Sequence, residues 1–434
     1  MPLKHGVSRV AARRWRIVAA VGAGLLPGLV QAQAIPRGEV QRGQTVADRP
    51  RADFDPLGVR LGAFRADVAA EAGLGYDSNI QGTRDNRLSD GFASLAAEAA
   101  LRSQWSTHAL GATARILQRS YFEETEQDWT DFAVGLSGRY DLTPDTSVEA
   151  SYNFVQEHLS STSVDVQQAG LQRPVPYIYN EVQAQAQSRF NRIGAVVLGN
   201  WRGYRFDNVD AGPATTPGGT PPGQVSIFDF DSAIAAAGLN YQLAPGRFVN
   251  FIVRYQNITY QDSSQSARDS DTWSALVGFT YDFDGVWGFN GEIGYLRREY
   301  SGPGLKELSA PTFAGTLTWQ PTLLTTVSGV VRRDVRESIR GNAVSYVATT
   351  GALRVDHEYL RNVILGAEVG VEYDEYQQPD QQSTDLYAGL SARWLINRNL
   401  ALVGSYQYAW RANASAGLDE YDRNLVLVRL RLAL

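Results

Sequence analysis

The chain has 434 residues, a formal charge of −6, 41 glycines, 11% aromatic residues, one methionine and no cysteine. The missing cysteines exclude disulfides and thiolate metal sites, and the acidic balance excludes a surface built to neutralise nucleic-acid phosphates. Beyond residue 34 no apolar run approaches the roughly 20 residues that a spanning helix needs.

Residues 1–34 read as a secretory signal. Lys4, Arg9, Arg13, Arg14 and Arg16 form its basic region, residues 17–30 its apolar core, and Ala32-Gln33-Ala34 its cleavage site. Cleavage removes five basic residues and takes the formal charge from −6 to −11. Of the 40 basic residues only Lys4 and Lys306 are lysines. Residues 35–58 are polar and rich in Pro and Arg, and read as a loose periplasmic leader.

From residue 59 to 434 a two-residue rhythm takes over. Residues 180–190 show it best. Glu181, Gln183, Gln185, Gln187 and Arg189 fall on one side; Val182, Ala184, Ala186 and Phe190 fall on the other, with Ser188 the one break. Strand side chains alternate between faces, whereas a helix would scatter these glutamines all round. The greasy face is thin and ends in an aromatic, which suits a barrel strand with lipid outside and water inside.

The rhythm recurs in chain order. The first strand, over residues 61–76, sets Arg65, Asp67 and Glu71 inward, and the next two set Glu98, Arg102 and Arg115 inward. Later strands do the same with Arg254, Glu292, Arg298, Arg332, Arg354, Glu368, Glu372, Arg393, Arg429 and Arg431. The pattern predicts an all-β, transmembrane, antiparallel up-and-down barrel of about 18 strands (16 to 18). Connections alternate between long polar loops, such as residues 207–226, and short turns, such as Asn191-Arg192 and Ala244-Pro245-Gly246. Short turns are periplasmic and long loops extracellular in such barrels, so the N-terminus is periplasmic and the last strand ends at the periplasmic rim.

Outward aromatics predict two belts at the headgroup levels. Tyr140, Tyr241, Phe283, Trp287, Trp319 and Trp394 lie near short turns; Tyr76, Trp273, Tyr295, Tyr373, Tyr408 and Trp410 lie near long loops. Strand middles are expected to lack them.

Residues 58–146 resemble the putative beta-barrel porin 2 group of bacterial outer-membrane proteins. The resemblance rests on Gly58-Val59-Arg60-Leu61-Gly62-Ala63-Phe64, Tyr76-Asp77-Ser78-Asn79-Ile80, Asp128-Trp129 and Gly138-Arg139-Tyr140-Asp141. Tyr76–Ile80 is the most specific part. The resemblance implies a role in moving exopolysaccharide across the outer membrane. The chain departs from many outer-membrane barrels by ending in Leu434 instead of Phe.

Little catalytic chemistry is written in the chain. Mature histidines are limited to His108 near a short turn, His357 in a short turn and His158 in a long loop, so they cannot share a site, and no enzyme is expected. Residues 121–131 concentrate acids; they read as a solvated loop, with carboxylate binding of calcium as the sharper reading. No metal or other cofactor is expected. At the closing seam Arg429 and Arg431 should lie near Asp67 and Glu71, either as stabilising cross-strand pairs or as a ladder for a hydrated polymer.

Three functions remain open: a passive conduit for exopolysaccharide, a general diffusion porin for small solutes, and a plugged barrel with a binding or structural role. Expected partners are outer-membrane lipid and lipopolysaccharide, with polysaccharide and periplasmic export components for the first function.

Overall fold

The barrel is the solution this rhythm dictates. A bilayer offers no water to backbone N–H and C=O groups, so strands must satisfy one another all the way round. The computed structural model describes residues 45–47, 49–209, 223–283, 285–412, 414–415 and 417–434. The signal segment and residues 210–222 of the long 207–226 loop lie outside the described residues, as does the side chain of Phe283.

A three-residue β1 (Val59–Leu61) folds back on the start of β2. Then come β2 (Phe64–Asp77), β3 (Asp90–Ser103), β4 (Ala109–Tyr121), β5 (Trp129–Thr143), β6 (Thr146–Leu159), β7 (Val175–Phe190), β8 (Ile193–Phe206) and β9 (Phe230–Ala244). The second half is β10 (Arg247–Tyr260), β11 (Ser270–Phe283), β12 (Trp287–Tyr300), β13 (Leu308–Thr322), β14 (Thr325–Glu337), β15 (Ser345–Leu360), β16 (Val363–Gln377), β17 (Asp380–Leu395), β18 (Leu400–Ala412) and β19 (Asp422–Ala433). Each strand pairs antiparallel with the next, and β19 returns to β2, so β2 to β19 close a barrel of 18 strands. One short helix, α1 (Val164–Gln168), lies in the β6–β7 loop.

Residues directly opposite in an antiparallel pair share a face. From Glu71 the register leads to Ala96, Leu117 and Asp131 one way, and to Arg431 and Ala401 the other. That face carries the ion pairs. The opposite face carries exposed apolar side chains, among them Leu74, Leu95, Ile116, Val182, Val253, Ile293 and Leu390.

The belts form largely as the sequence predicts. Trp287 stacks on Trp319 with ring centroids 4.9 Å apart, and Tyr408 stacks on Trp410 at 5.3 Å. Strand middles are not free of aromatics, however. Tyr152 and Tyr406 sit there on the outer face. Each hydroxyl has a local acceptor, Asn180 Oδ1 at 2.7 Å and Asn424 Oδ1 at 2.8 Å, which removes the cost of placing it away from water.

Three expectations about connections are corrected. Residues 374–385, which read as a long loop between strands ending at Tyr373 and starting at Leu386, are no loop: β16 and β17 run on past the belt and meet at Gln378-Pro379, because strand pairing does not end where the apolar pattern ends. His158 lies within β6 and His357 within β15, not in connections. The acidic 121–131 stretch is not simply solvated. Asp128 accepts the Tyr121 backbone N–H at 2.7 Å, and Asp131 meets His158 Nδ1 at 2.8 Å. The Asn191-Arg192 turn behaves as read; Asn191 takes a φ of 53°, a conformation asparagine tolerates at a hairpin tip.

The leader is not loose over residues 45–55. Val46 is fully buried, and its N–H donates to Thr326 Oγ1 at 2.9 Å on the inner face of β14. Arg51 donates to Glu358 Oε2 at 2.8 Å and to the Val46 carbonyl at 2.9 Å. Arg398, in the β17–β18 turn, donates to the Ala52 carbonyl at 3.0 Å. This strap therefore lies across the periplasmic ends of β14 to β17. Among the described residues, Arg51→Ala leaves the Glu358 carboxylate with only the longer contacts from Arg49 (3.4 Å) and Arg361 (3.7 Å). The expected loss is about 2 kcal/mol, read from the urea-unfolding midpoint of the barrel in micelles.

Candidate functional site

The inner wall is the candidate site, and the register shows which side chains share that face. All the sequence-assigned wall residues do: Arg65, Asp67, Glu71, Glu98, Arg102, Arg115, Glu181, Gln183, Gln185, Gln187, Arg254, Glu292, Arg298, Arg332, Arg354, Glu368, Glu372, Arg393, Arg429 and Arg431.

The seam between β19 and β2 is tied by charge. Arg431 reaches Glu71 at 2.6 Å and also bonds Glu98, while Arg429 reaches Glu71 at 3.1 Å. Asp67 is not part of this set. It takes Arg65 and Arg102, each at 2.9 Å, because those arginines flank it at the periplasmic end. Further round, Arg354 bridges Asp356 (2.8 Å) and Glu368 (3.0 Å), Arg332 meets Asp334 (2.6 Å), and Arg254 faces Glu292 (3.7 Å). Such cross-strand pairs contribute on the order of 0.2–1 kcal/mol each.

The periplasmic half of β7 to β13 has a different chemistry. Amides and hydroxyls run along its wall, namely Gln183, Gln185 and Gln187, then Asn200, Asn240, Asn250, Thr280, Asn290 and Thr316, interleaved with apolar Val196, Leu198, Phe248 and Ile252. They bond along the wall. Gln187 donates to Ser147 Oγ at 2.9 Å, and Thr280 Oγ1 donates to Asn290 Oδ1 at 2.9 Å.

The extracellular half is filled, which sequence reasoning missed. The inner faces of β7 to β10 carry Tyr177, Tyr179, Tyr204, Phe206, Phe230 and Tyr260, all 7% exposed or less. Their rings form one continuous patch; Tyr204 stacks on Phe230 at 4.6 Å, and Phe230 meets Tyr260 at 5.6 Å. The patch packs with Val166 and Leu171 of the β6–β7 loop, with Phe228, and with Ile339 of the β14–β15 loop. The signal was available: these aromatics have the parity of Glu181 and Arg202, the inward side, yet sit beside long loops.

The filling element is the β6–β7 loop itself. Ser163 caps α1, its hydroxyl accepting the Val166 N–H. Asp165 then accepts from Tyr376 OH at 2.8 Å on β16, and from Ser338 Oγ (2.9 Å) and the Ile339 N–H (3.2 Å). Strand β16 is nine places from β7 in a ring of 18, so the loop reaches the diametrically opposite wall. Arg411 on β18 holds the same loop, donating to Gln167 Oε1 at 2.5 Å and to the Thr162 carbonyl at 2.7 Å, while a bidentate pair fixes it to Asp385. Burial pushes the Asp165 carboxyl above its ordinary range.

The histidines are separated as expected. His108 accepts the Asp141 N–H at a periplasmic turn, whereas His158 stacks on Trp129 at the extracellular end. Among the described residues no three His, Cys, Asp or Glu side chains converge to hold a metal ion.

Residues 51–434 match the family model described as "Putative beta-barrel porin 2". No curated protein matches the chain. Among solved structures it is similar to OpdK of Pseudomonas aeruginosa with vanillate, at 10% identity and a TM-score of 0.44, covering 85% of this chain and 99% of that one. It is similar to OccK2 (OpdF) of the same organism at 12% identity and a TM-score of 0.46, covering 86% and 99%. It is also similar to a mutant of the P. aeruginosa ferric enterobactin receptor PfeA at 7% identity and a TM-score of 0.42, covering 84% and 80%.

Asp165→Ala removes the acceptor for three donors at once. A loss of about 2 kcal/mol in loop docking raises the undocked population about 30-fold. Thermolysin cleavage before Leu171 is expected to accelerate by that order, with the barrel core still intact on a gel.

Proposed function

Because the chain belongs to the putative beta-barrel porin 2 family, we propose that it is an outer-membrane conduit for hydrophilic solutes that rests closed on its extracellular side. One observation carries this reading: the 160–174 loop bridges opposite walls of the lumen while the periplasmic half keeps a polar lining. The loop is held by discrete hydrogen bonds at its far end. It is a separable element and no part of the barrel ladder.

The wall residues named above line the conduit in this reading. Charges there are paired within the wall, so they set no strong single-sign field. The amide and hydroxyl strip on β7 to β13 suits uncharged polyhydroxylated solutes, which trade hydrogen bonds with water for equivalent ones with the wall. Carbohydrate is the solute class we assign. For an exported polysaccharide the loop must leave the lumen, and the Tyr177–Tyr260 aromatics beneath it then offer faces on which sugar rings stack.

Planar-bilayer recording tests the reading. The native protein is expected to show long closed periods with brief openings. Replacing residues 161–172 by a Gly-Ser linker is expected to give sustained conductance and faster liposome swelling in neutral oligosaccharides than in charged solutes of equal size. A silent linker variant would leave a plugged structural barrel, and a native channel open throughout would leave a simple diffusion porin.

The same recordings carry a pH prediction. Docking raises the Asp165 carboxyl's affinity for a proton, so the docked state is favoured below that raised value and loses its advantage as pH rises through it. Open time is expected to increase with pH, and Asp165→Asn is expected to flatten that dependence.

A further inference from the structure

One seam of the barrel is held by a ladder over only part of its length. Strands β13 and β14 pair from Trp319↔Val327 up to Phe313↔Arg333 and then stop. Yet β13 stays paired with β12 up to Leu308, and β14 stays paired with β15 up to Glu337. The sheet therefore splits above Phe313, while both flanking ladders continue.

Pro311 supplies the cause. Continuing the register would set it opposite Val335, and proline has no N–H to offer a neighbouring strand. Thr312 spends its hydroxyl on the Arg333 carbonyl at 2.8 Å, the last link across the seam. Pro311 is level with Tyr295, an outward aromatic of the outer belt that is 57% exposed. The split thus opens at the outer headgroup level and runs outward from there.

The two flaps overlap. Inward-parity residues of β12 and β13 meet outward-parity residues of β14 and β15. Leu296, Leu308 and Ala310 pack with Val347, and Val335 joins them. Tyr300 OH meets Ser345 Oγ at 2.5 Å. Arg298, 1% exposed, is ion-paired with Glu337, whose other oxygen accepts from Tyr260 OH at 2.9 Å. Tyr260 belongs to the aromatic patch inside the barrel. Apolar surface therefore runs from the lumen patch, past one buried ion pair, to the outer face of β14 and β15.

We propose that this overlap is a lateral portal for a single-chain amphiphile, passing between the lumen and the outer leaflet with Arg298–Glu337 as its latch. The chemistry of the path selects the cargo. An acyl chain replaces apolar contacts among Leu308, Ala310 and Val347, and the headgroup stays outward of them beside exposed Lys306. Opening costs no ladder hydrogen bond, since none exists there, whereas parting any fully paired seam breaks a row of them. The portal stands independently of the loop-gated reading above, because it leaves the barrel through its side.

Diazirine-bearing palmitate, photoactivated on the folded protein in lipid vesicles and mapped by mass spectrometry, tests this. Label is expected on Leu296, Leu308, Ala310, Val335 and Val347. Glu337→Gln is expected to raise that labelling several-fold. An A310C/V347C variant, once oxidised, is expected to lose label on inward Leu296 and to regain it on reduction. Heat-modifiability on a gel confirms that each variant is folded. Label spread evenly around the outer wall, or Leu296 labelled equally in the oxidised staple, overturns the proposal. A silent 161–172 linker variant with portal labelling intact would remove the conduit reading alone.

Discussion

Backbone hydrogen bonding inside a bilayer is the constraint from which the rest follows. Every strand needs two neighbours, so the sheet must close, and closure forces side chains to divide between lipid and lumen. The wall of this protein obeys that rule at the β19–β2 seam, where ladder and ion pairs act together. It departs from it above Phe313, where one proline removes a donor and overlap replaces pairing. The departure lies at the headgroup level and outward, where water is available again.

Closure alone leaves a wide tube, and the tube is filled selectively. Loop 160–174 turns inward because its apolar residues, Val166 and Leu171, find an aromatic wall prepared for them. Polar contacts at its far end fix the position without adding to the ladder. The arrangement separates two energies. The barrel is stabilised by many cooperative strand pairs, while loop docking depends on a few hydrogen bonds of about 1–3 kcal/mol each. A conformational change in the loop can therefore proceed with the barrel unchanged.

Much of this was legible in the residues. The Glu181–Arg189 alternation sorts inside from outside, Asn191-Arg192 and Pro245-Gly246 mark short turns, and the alternation of loop lengths orients the barrel. The wall residues all fell on the inner face because a period of two leaves no third option. What the residues did not reveal were features set by distant contacts. Tyr177 and Tyr204 have inward parity but look like ordinary strand aromatics until a loop is laid on them. Asp67 was grouped with Glu71, although Arg65 and Arg102 lie closer to it. Tyr376 lies in a polar stretch that reads as loop, and it became strand because Tyr346 and Gln381 pair with it.

The N-terminal strap has a consequence for biogenesis. Val46 and Arg51 are bound by residues 280 and 307 positions further along the chain. Their seats on β14 and β15 do not exist until most of the protein has been laid down. Docking of residues 45–55 is thus a closing event, and an unfinished polypeptide would present a free N-terminal tail to periplasmic proteases while a completed one tucks it away.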